Sequence, residues 1–199
     1  MNDALVLASR SPSRREMLAA AGITASCHAA DIDEDAIRGA LAAEDAAPRD
    51  IADTIAEYKA RKISARMPGP RVIGCDQILR LGRAVLGKPD SPDGLRAQLA
   101  RMRNHEHELI SAAVIYQDGS PQWRAVETAR LTMRNLSDAW LDDYVARNWT
   151  AVAGSVGGYH IEAEGSRLMS RIEGSWHAIL GLPLLPLVTY LEQSGVIAS

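Results

Sequence analysis

The chain has 199 residues, enough for one substantial domain or two small lobes around a cleft. Hydrophobic residues make up 47% and charged residues 24%, which excludes disorder as the main state. A formal net charge of −3 argues against a nucleic-acid coat or a polybasic membrane binder, so any phosphate site must gather a few Arg and Lys locally.

Phe is absent, and the core must be filled by Leu, Ile, Val, Ala and a few Trp and Tyr. Cys27 and Cys75 stand far apart in no metal-like spacing, which fits two thiols in a reducing cytosol rather than a disulfide framework. The apolar run 5–8 is too short for a secretory leader, and the run 178–191 is broken by Pro183 and Pro186. A cytoplasmic protein that spans no membrane is expected.

The elements follow in chain order. Residues 5–8 read as a buried strand feeding a helix that Ser11 caps and Pro12 opens, with Met17, Leu18 and Ala21 at helical spacing and Gly22 as the stop. A second strand is expected over 24–29, then an acidic connector over 31–35. A long helix carries Ile51, Ile55, Tyr58, Lys59, Lys62 and Ile63 and ends near Pro68. Residues 72–75 form the next strand, with Asp76 at its exit, followed by a small hairpin over 78–85 that turns at Leu81-Gly82. Ser91-Pro92 opens a helix through Met102. Two long strands, 107–116 and 123–133, are joined at the turn signal Asp118-Gly119. Ser137 caps a helix to Arg147, residues 159–172 read as extended, and a last helix runs to about Gln193. The whole is a mixed α/β architecture of one domain, residues 1–199.

Several residues could carry chemistry. In the segment 9–15, Ser9, Ser11, Arg10, Arg14 and Arg15 crowd a helix N-terminus, where free backbone N–H groups and guanidinium forks suit polyphosphate. The alternative is a capped helix with solvated arginines. Asp76, just past an apolar strand, can hold a metal or take a proton from water, or be a simple turn aspartate. Glu34 could supply a second carboxylate, or belong to a solvated acidic turn. Lys59 and Lys88 stand alone, each compatible with the surface, although Gly87-Lys88-Pro89 is rigid enough to aim an ammonium. His105 and His107 alternate along a strand, but no third zinc ligand is evident. Gln77 and Glu162, beside apolar residues in predicted sheet regions, could bond a base edge or face solvent.

Taken in order, these segments resemble the Maf family, originally named for septum formation. Residues 8–15 match its A-S-x-S-P-x-R-R opening, Lys59-Ala60 its lysine-alanine helix, and Gly74-Cys75-Asp76-Gln77 its G-x-D-[TQ] strand. Gly87-Lys88-Pro89 matches a G-K-P loop, and Ile172-Glu173-Gly174 with Gly181-Leu182-Pro183 matches the family's ending. Departures stand at Met102-Arg103-Asn104, Ala163 and Ser175-Trp176.

The resemblance implies a mixed twisted sheet in two lobes around a nucleotide cleft, similar to the inosine-triphosphate pyrophosphatases. It implies cleavage of a nucleoside triphosphate between the α and β phosphates with Mg²⁺ or Mn²⁺. Asp76 matches the proton acceptor; Ser9, Ser11, Arg14, Lys59 and Lys88 would cradle phosphate, with Arg15 beside them; Glu34 matches a carboxylate near the metal. Ser13, Gln77 and Glu162 match positions that divide a branch acting on dTTP and UTP from one acting on 7-methyl-GTP. Gln77 and Glu162 resemble the second branch and Ser13 neither. A homodimer is a further family-level expectation. The alternatives are a nucleotide-binding regulator of division without turnover and, third, a phosphomonoesterase.

Overall fold

The computed structural model describes residues 4–198, and its sheet begins at β1 (Leu5–Leu7). Leu5 and Leu7 enter one buried cluster with Ile73 and Cys75, while Val6 and Ala8 enter another with Val72 and Ile63. That split is the period of two expected of a strand, and both faces are apolar because parallel strands are covered on both sides. Ser11 accepts from the Arg14 backbone N–H and caps α1 (Pro12–Ala20), with Pro12 in the first turn. β2 (Ala25–Cys27) is shorter than its sequence suggests and pairs parallel with β1.

The acidic connector is the start of a helix. Asp33 accepts from the Ala36 backbone N–H, so α2 (Glu34–Ala43) begins with Glu34 and Asp35, where acidic side chains suit the positive end of the dipole. α3 (Pro48–Arg66) buries Ile51, Ile55, Lys59 and Ile63, four residues apart along one stripe.

β3 (Arg71–Leu81) pairs parallel with β1 and runs on to pair antiparallel with β4 (Ala84–Leu86) through a turn at Gly82. Asp76 therefore sits within the strand rather than at its exit. The chain continues through α4 (Pro92–Met102), β5 (Glu106–Gln117), β6 (Ser120–Met133), α5 (Asp138–Val152), a 3-10 turn (Glu164–Leu168), β7 (Met169–Glu173), α6 (Trp176–Ile179) and α7 (Leu184–Gln193). The extended stretch expected over 159–172 is mostly turns. Gly165 lies so close to the His160 carbonyl, 2.4 Å from where a Cβ would stand, that the backbone folds back on itself there. Glu162 is consequently on a turn and not in the sheet.

The seven strands lie in the order β2-β1-β3-β5-β6-β7, with β4 on β3, a mixed sheet in an α/β fold. The described residues divide into two compact units, the first from residues 4–77, 110–127 and 175–198, the second from Ile78–Leu109 and Thr128–Gly174. The first unit buries Leu5, Leu7, Leu18, Ile73, Ile115, Leu182 and Leu187 together, and Trp123 stacks on Tyr190 at 5.4 Å. Aliphatic volume stands in for the missing Phe. In the second unit α4 packs on α5, Gly158 leaves room for Leu95, and Trp140 stacks on Tyr144. Among the described residues no helix is long and apolar enough to cross a membrane.

Candidate active site

The first unit contains an open strand edge. β1 stops at Leu7, and its last bond to β3 is the Ala8 N–H to the Ile73 carbonyl at 2.8 Å. Strand geometry turns every second carbonyl to the same side, so the Cys75 carbonyl points where β1 has ended. A buried carbonyl cannot go unpaired. Two cations fill the role: Arg14 Nη1 donates to it at 3.1 Å and Lys59 Nζ at 3.3 Å.

Lys59 does more than cap that carbonyl. Its ammonium lies 2.8 Å from Asp76 Oδ1 and 2.9 Å from Glu34 Oε1. The Lys59 and Asp76 side chains are only 7% and 5% exposed, so this pair is held out of solvent, where one charge without the other would be costly. One ammonium between two carboxylates leaves the group one unit negative. Asp76 Oδ2 is buried and has no hydrogen-bond partner, an orphan atom whose desolvation is uncompensated. Lys59 reaches this position because helix and strand touch. A Cβ on Gly74 would stand 2.1 Å from the Ala56 carbonyl oxygen and 2.6 Å from the Ala60 nitrogen.

Arg14 is buried and acts as a frame. Nε donates to the Gly181 carbonyl at 2.7 Å, and Nη1 also reaches Ser9 Oγ at 3.3 Å. Ser9 Oγ in turn accepts from the Ser11 backbone N–H at 3.2 Å. The loop between β1 and α1 is thereby tied to the segment after α6. Cys75 sits between these cations, but burial pushes its thiol up to about 11, so it is an inert packing residue rather than a nucleophile.

The arginines of the opening motif part company. Arg10 pairs with Asp31 at the surface. Arg15 is exposed and lines a cavity of about 260 Å³ with Leu7, Leu18, Ile23 and Cys27; none of Ser9, Lys59 or Asp76 borders it. Ser13 is half-buried in the first turn of α1. Gln77 follows Asp76 and points to the other face of β3, where Nε2 donates to Ser111 Oγ and to the carbonyls of Ala178 and Ile179. Ser111, the α6 carbonyls and the Cys75 carbonyl were beyond reach of sequence reasoning, because no local pattern marks them.

Lys88 and Glu162 belong to the second unit and are exposed, Lys88 on the loop before α4 and Glu162 on the turn before the 3-10 segment. Glu164, two residues on, is fastened by Arg147, Asn148 and Arg167; the Arg147 guanidinium, first among these, holds its carboxyl down at about 2. The two histidines do other things. His105 Nδ1 meets the Arg103 carbonyl, and buried His107 pairs through Nε2 with the Tyr159 hydroxyl at 2.7 Å. Among the described residues no group of three or more His, Cys, Asp or Glu stands together as a metal cage.

The chain is similar to known proteins along nearly its whole length. The chain is 53% identical over 196 residues, 98% of each chain, to the nucleoside triphosphate pyrophosphatase of Roseobacter denitrificans. It is 49% identical over 193 residues, 97% of each, to the protein of that name in Ruegeria pomeroyi. The 7-methyl-GTP pyrophosphatase of Mesorhizobium japonicum is 42% identical over 197 residues, 99% of each chain. The family model described as Maf-like protein matches residues 4–194, and the chain belongs to that family.

Proposed function

We propose that this chain is a hydrolase that cleaves a nucleoside triphosphate to the monophosphate and pyrophosphate, acting on 7-methyl-GTP in preference to dTTP and UTP. The activity is supported by relatives at 42–53% identity over nearly the full chain, and the preference by one relative's name and by Gln77 and Glu162. The observation that carries the reading is Asp76, buried, paired to Lys59 through one oxygen and with the other oxygen unsatisfied.

Asp76 Oδ2 accepts a hydrogen bond from the attacking water and orients it toward a phosphate centre. Lys59 supplies positive charge beside the phosphate oxygens, and the hydroxyls and N–H groups of Ser9 and Ser11 donate to them. Arg14, already committed to Gly181, Ser9 and Cys75, keeps that loop rigid. Catalysis of this kind is positioning plus electrostatics. Asp76 and Glu34 are the residues that would hold Mg²⁺ or Mn²⁺, and the donor set fits. Both offer hard carboxylate oxygens, their group with Lys59 is net negative, and Oδ2 lacks a partner. Such an ion takes one or two carboxylates, completes its shell with water and phosphate, and supplies charge neutralisation. Two free cysteines fit a cytoplasmic setting.

The test is pyrophosphate release by the purified protein with Mg²⁺ or Mn²⁺ over canonical and methylated triphosphates. Asp76→Asn keeps the shape and removes an acceptor, and should lower turnover by roughly 10²–10⁴-fold. Full activity in that variant overturns the assignment. Nucleotide binding without product points to the regulator, and orthophosphate release points to a phosphomonoesterase.

A further inference from the structure

A second hollow lies in the first unit, between α1 and β2, the strand at the edge of the sheet. It measures about 260 Å³, and none of Ser9, Arg14, Lys59 or Asp76 borders it. Arg15, Leu18, Ala19 and Gly22 line one wall; their spacing of three, four and seven residues keeps them on one side of α1 and just past its end. Ala25 and Cys27, two residues apart on β2, turn to the same side and line the other wall. The space exists because the facing groups are small. Ala19 and Gly22 on one wall lack the volume to meet Ala25 and Cys27 on the other.

The hollow has two chemical ends. Leu18 at its base is 2% exposed and belongs to the core cluster of this unit, so water gains no hydrogen bond there. Arg15 is exposed and is the one charged side chain on the wall. Among the described residues no carboxylate pairs with it. An apolar tail gains by leaving water for the base, while the guanidinium fork matches a carboxylate through two parallel bonds. One guanidinium neutralises one negative charge, which suits a carboxylate better than a phosphate dianion. At roughly 30 Å³ for each water-sized group, the space takes a molecule of about nine non-hydrogen atoms. We infer that this hollow is a second ligand site, separate from the substrate's, for a small monocarboxylate with a short apolar tail.

The wall carries its own reporter. Cys27 is an exposed free thiol and Cys75, the other cysteine, is buried, so alkylation by iodoacetamide reads this hollow alone. In the full-length protein, hexanoate should slow that alkylation saturably, with a Kd of about 1 mM. At equal ionic strength acetate, which lacks the tail, and hexylamine, which carries the wrong charge, should leave the rate unchanged. Arg15→Gln should weaken the response to hexanoate about tenfold or more. Ala19→Phe fills the space and keeps the charge, and hexanoate should then make no difference to the rate. Should Ala19→Phe fail to fold, the three ligands and Arg15→Gln decide alone. A rate that hexanoate leaves unchanged, equal slowing by acetate or hexylamine, or an undiminished response in either folded variant overturns the site. Slowing by a nucleoside triphosphate with Mg²⁺ as strong as that by hexanoate would make the hollow part of the substrate site and overturn its separateness.

Discussion

Replacing Gly74 with Ala is the sharpest test of how the fold sets the site. The new methyl would stand 2.1 Å from the Ala56 carbonyl oxygen, 2.6 Å from the Ala60 nitrogen and 2.9 Å from the Ala60 Cβ. Two of these are backbone atoms, so no rotamer change relieves the clash, and α3 must withdraw from β3 by roughly 1 Å to restore contact distances. Ile51, Ile55 and Ile63 anchor that helix and are 1%, 0% and 4% exposed, so withdrawal opens the core they fill. Overpacking of this kind costs about 3 kcal/mol. Lys59 rides on the displaced helix and Asp76 on the strand, so their 2.8 Å contact stretches out of hydrogen-bonding range. A misplacement of about 1 Å can cost roughly 10²-fold in rate. Urea unfolding should show a midpoint lowered by about 1–2 M, and pyrophosphate release at a temperature where the variant is folded should fall in parallel. Gly39→Ala is the control, because a Cβ there meets nothing in the middle of α2, and it should gain up to about 1 kcal/mol. A Gly74→Ala protein that unfolds at the wild-type urea concentration would refute the argument that this glycine exists to let helix and strand touch.

Two further outcomes follow from the buried ionisable groups. Lys59→Met leaves Asp76 and Glu34 without their shared ammonium, which should cost about 3–5 kcal/mol and, in exchange, expose both carboxylates to metal. Mn²⁺ should therefore raise the Tm of the nucleotide-free variant more than that of wild type, and an equal shift in both would mean the carboxylates do not share an ion. Burial lowers the His107 imidazole from 6.5 to about 4. The folded state then binds fewer protons than the unfolded chain between those values, so stability is lost as pH falls below about 6.5, by up to about 3 kcal/mol near pH 4. Denaturant titrations from pH 4 to 7 should show a steeper acid decline in wild type than in His107→Leu; matching slopes would place the acid sensitivity elsewhere.

Some local chemistry was legible and some went unread. Lys59 falls four residues after Ile55 and four before Ile63, a charge on an apolar stripe, yet read by itself it was compatible with the surface, and only the fold shows it buried against Asp76 and Glu34. The Ser11-Pro12 cap and the Asp118-Gly119 turn appear as read, the turn with positive φ at both residues. The acidic segment concealed α2 because Asp and Glu in a first helical turn look the same in sequence as a solvated connector. Glu162 read as part of a strand because the turns around it are held by distant partners, among them Tyr159 on His107 and Glu164 on Arg147.

What the amino-acid order determined by itself was the inventory: period-two strands, capped helices, the spacing of Asp76 and Lys59, and through those motifs the family. Only the tertiary structure decided how each polar group is spent. Arg14 finds its acceptor 167 residues away at Gly181, and Gln77 finds its own at 101 and 102, so no window of sequence could reveal where either side chain donates. Caps and periodicity depend on neighbours a few residues apart, whereas the direction of a buried hydrogen bond depends on whatever the folded chain brings opposite it.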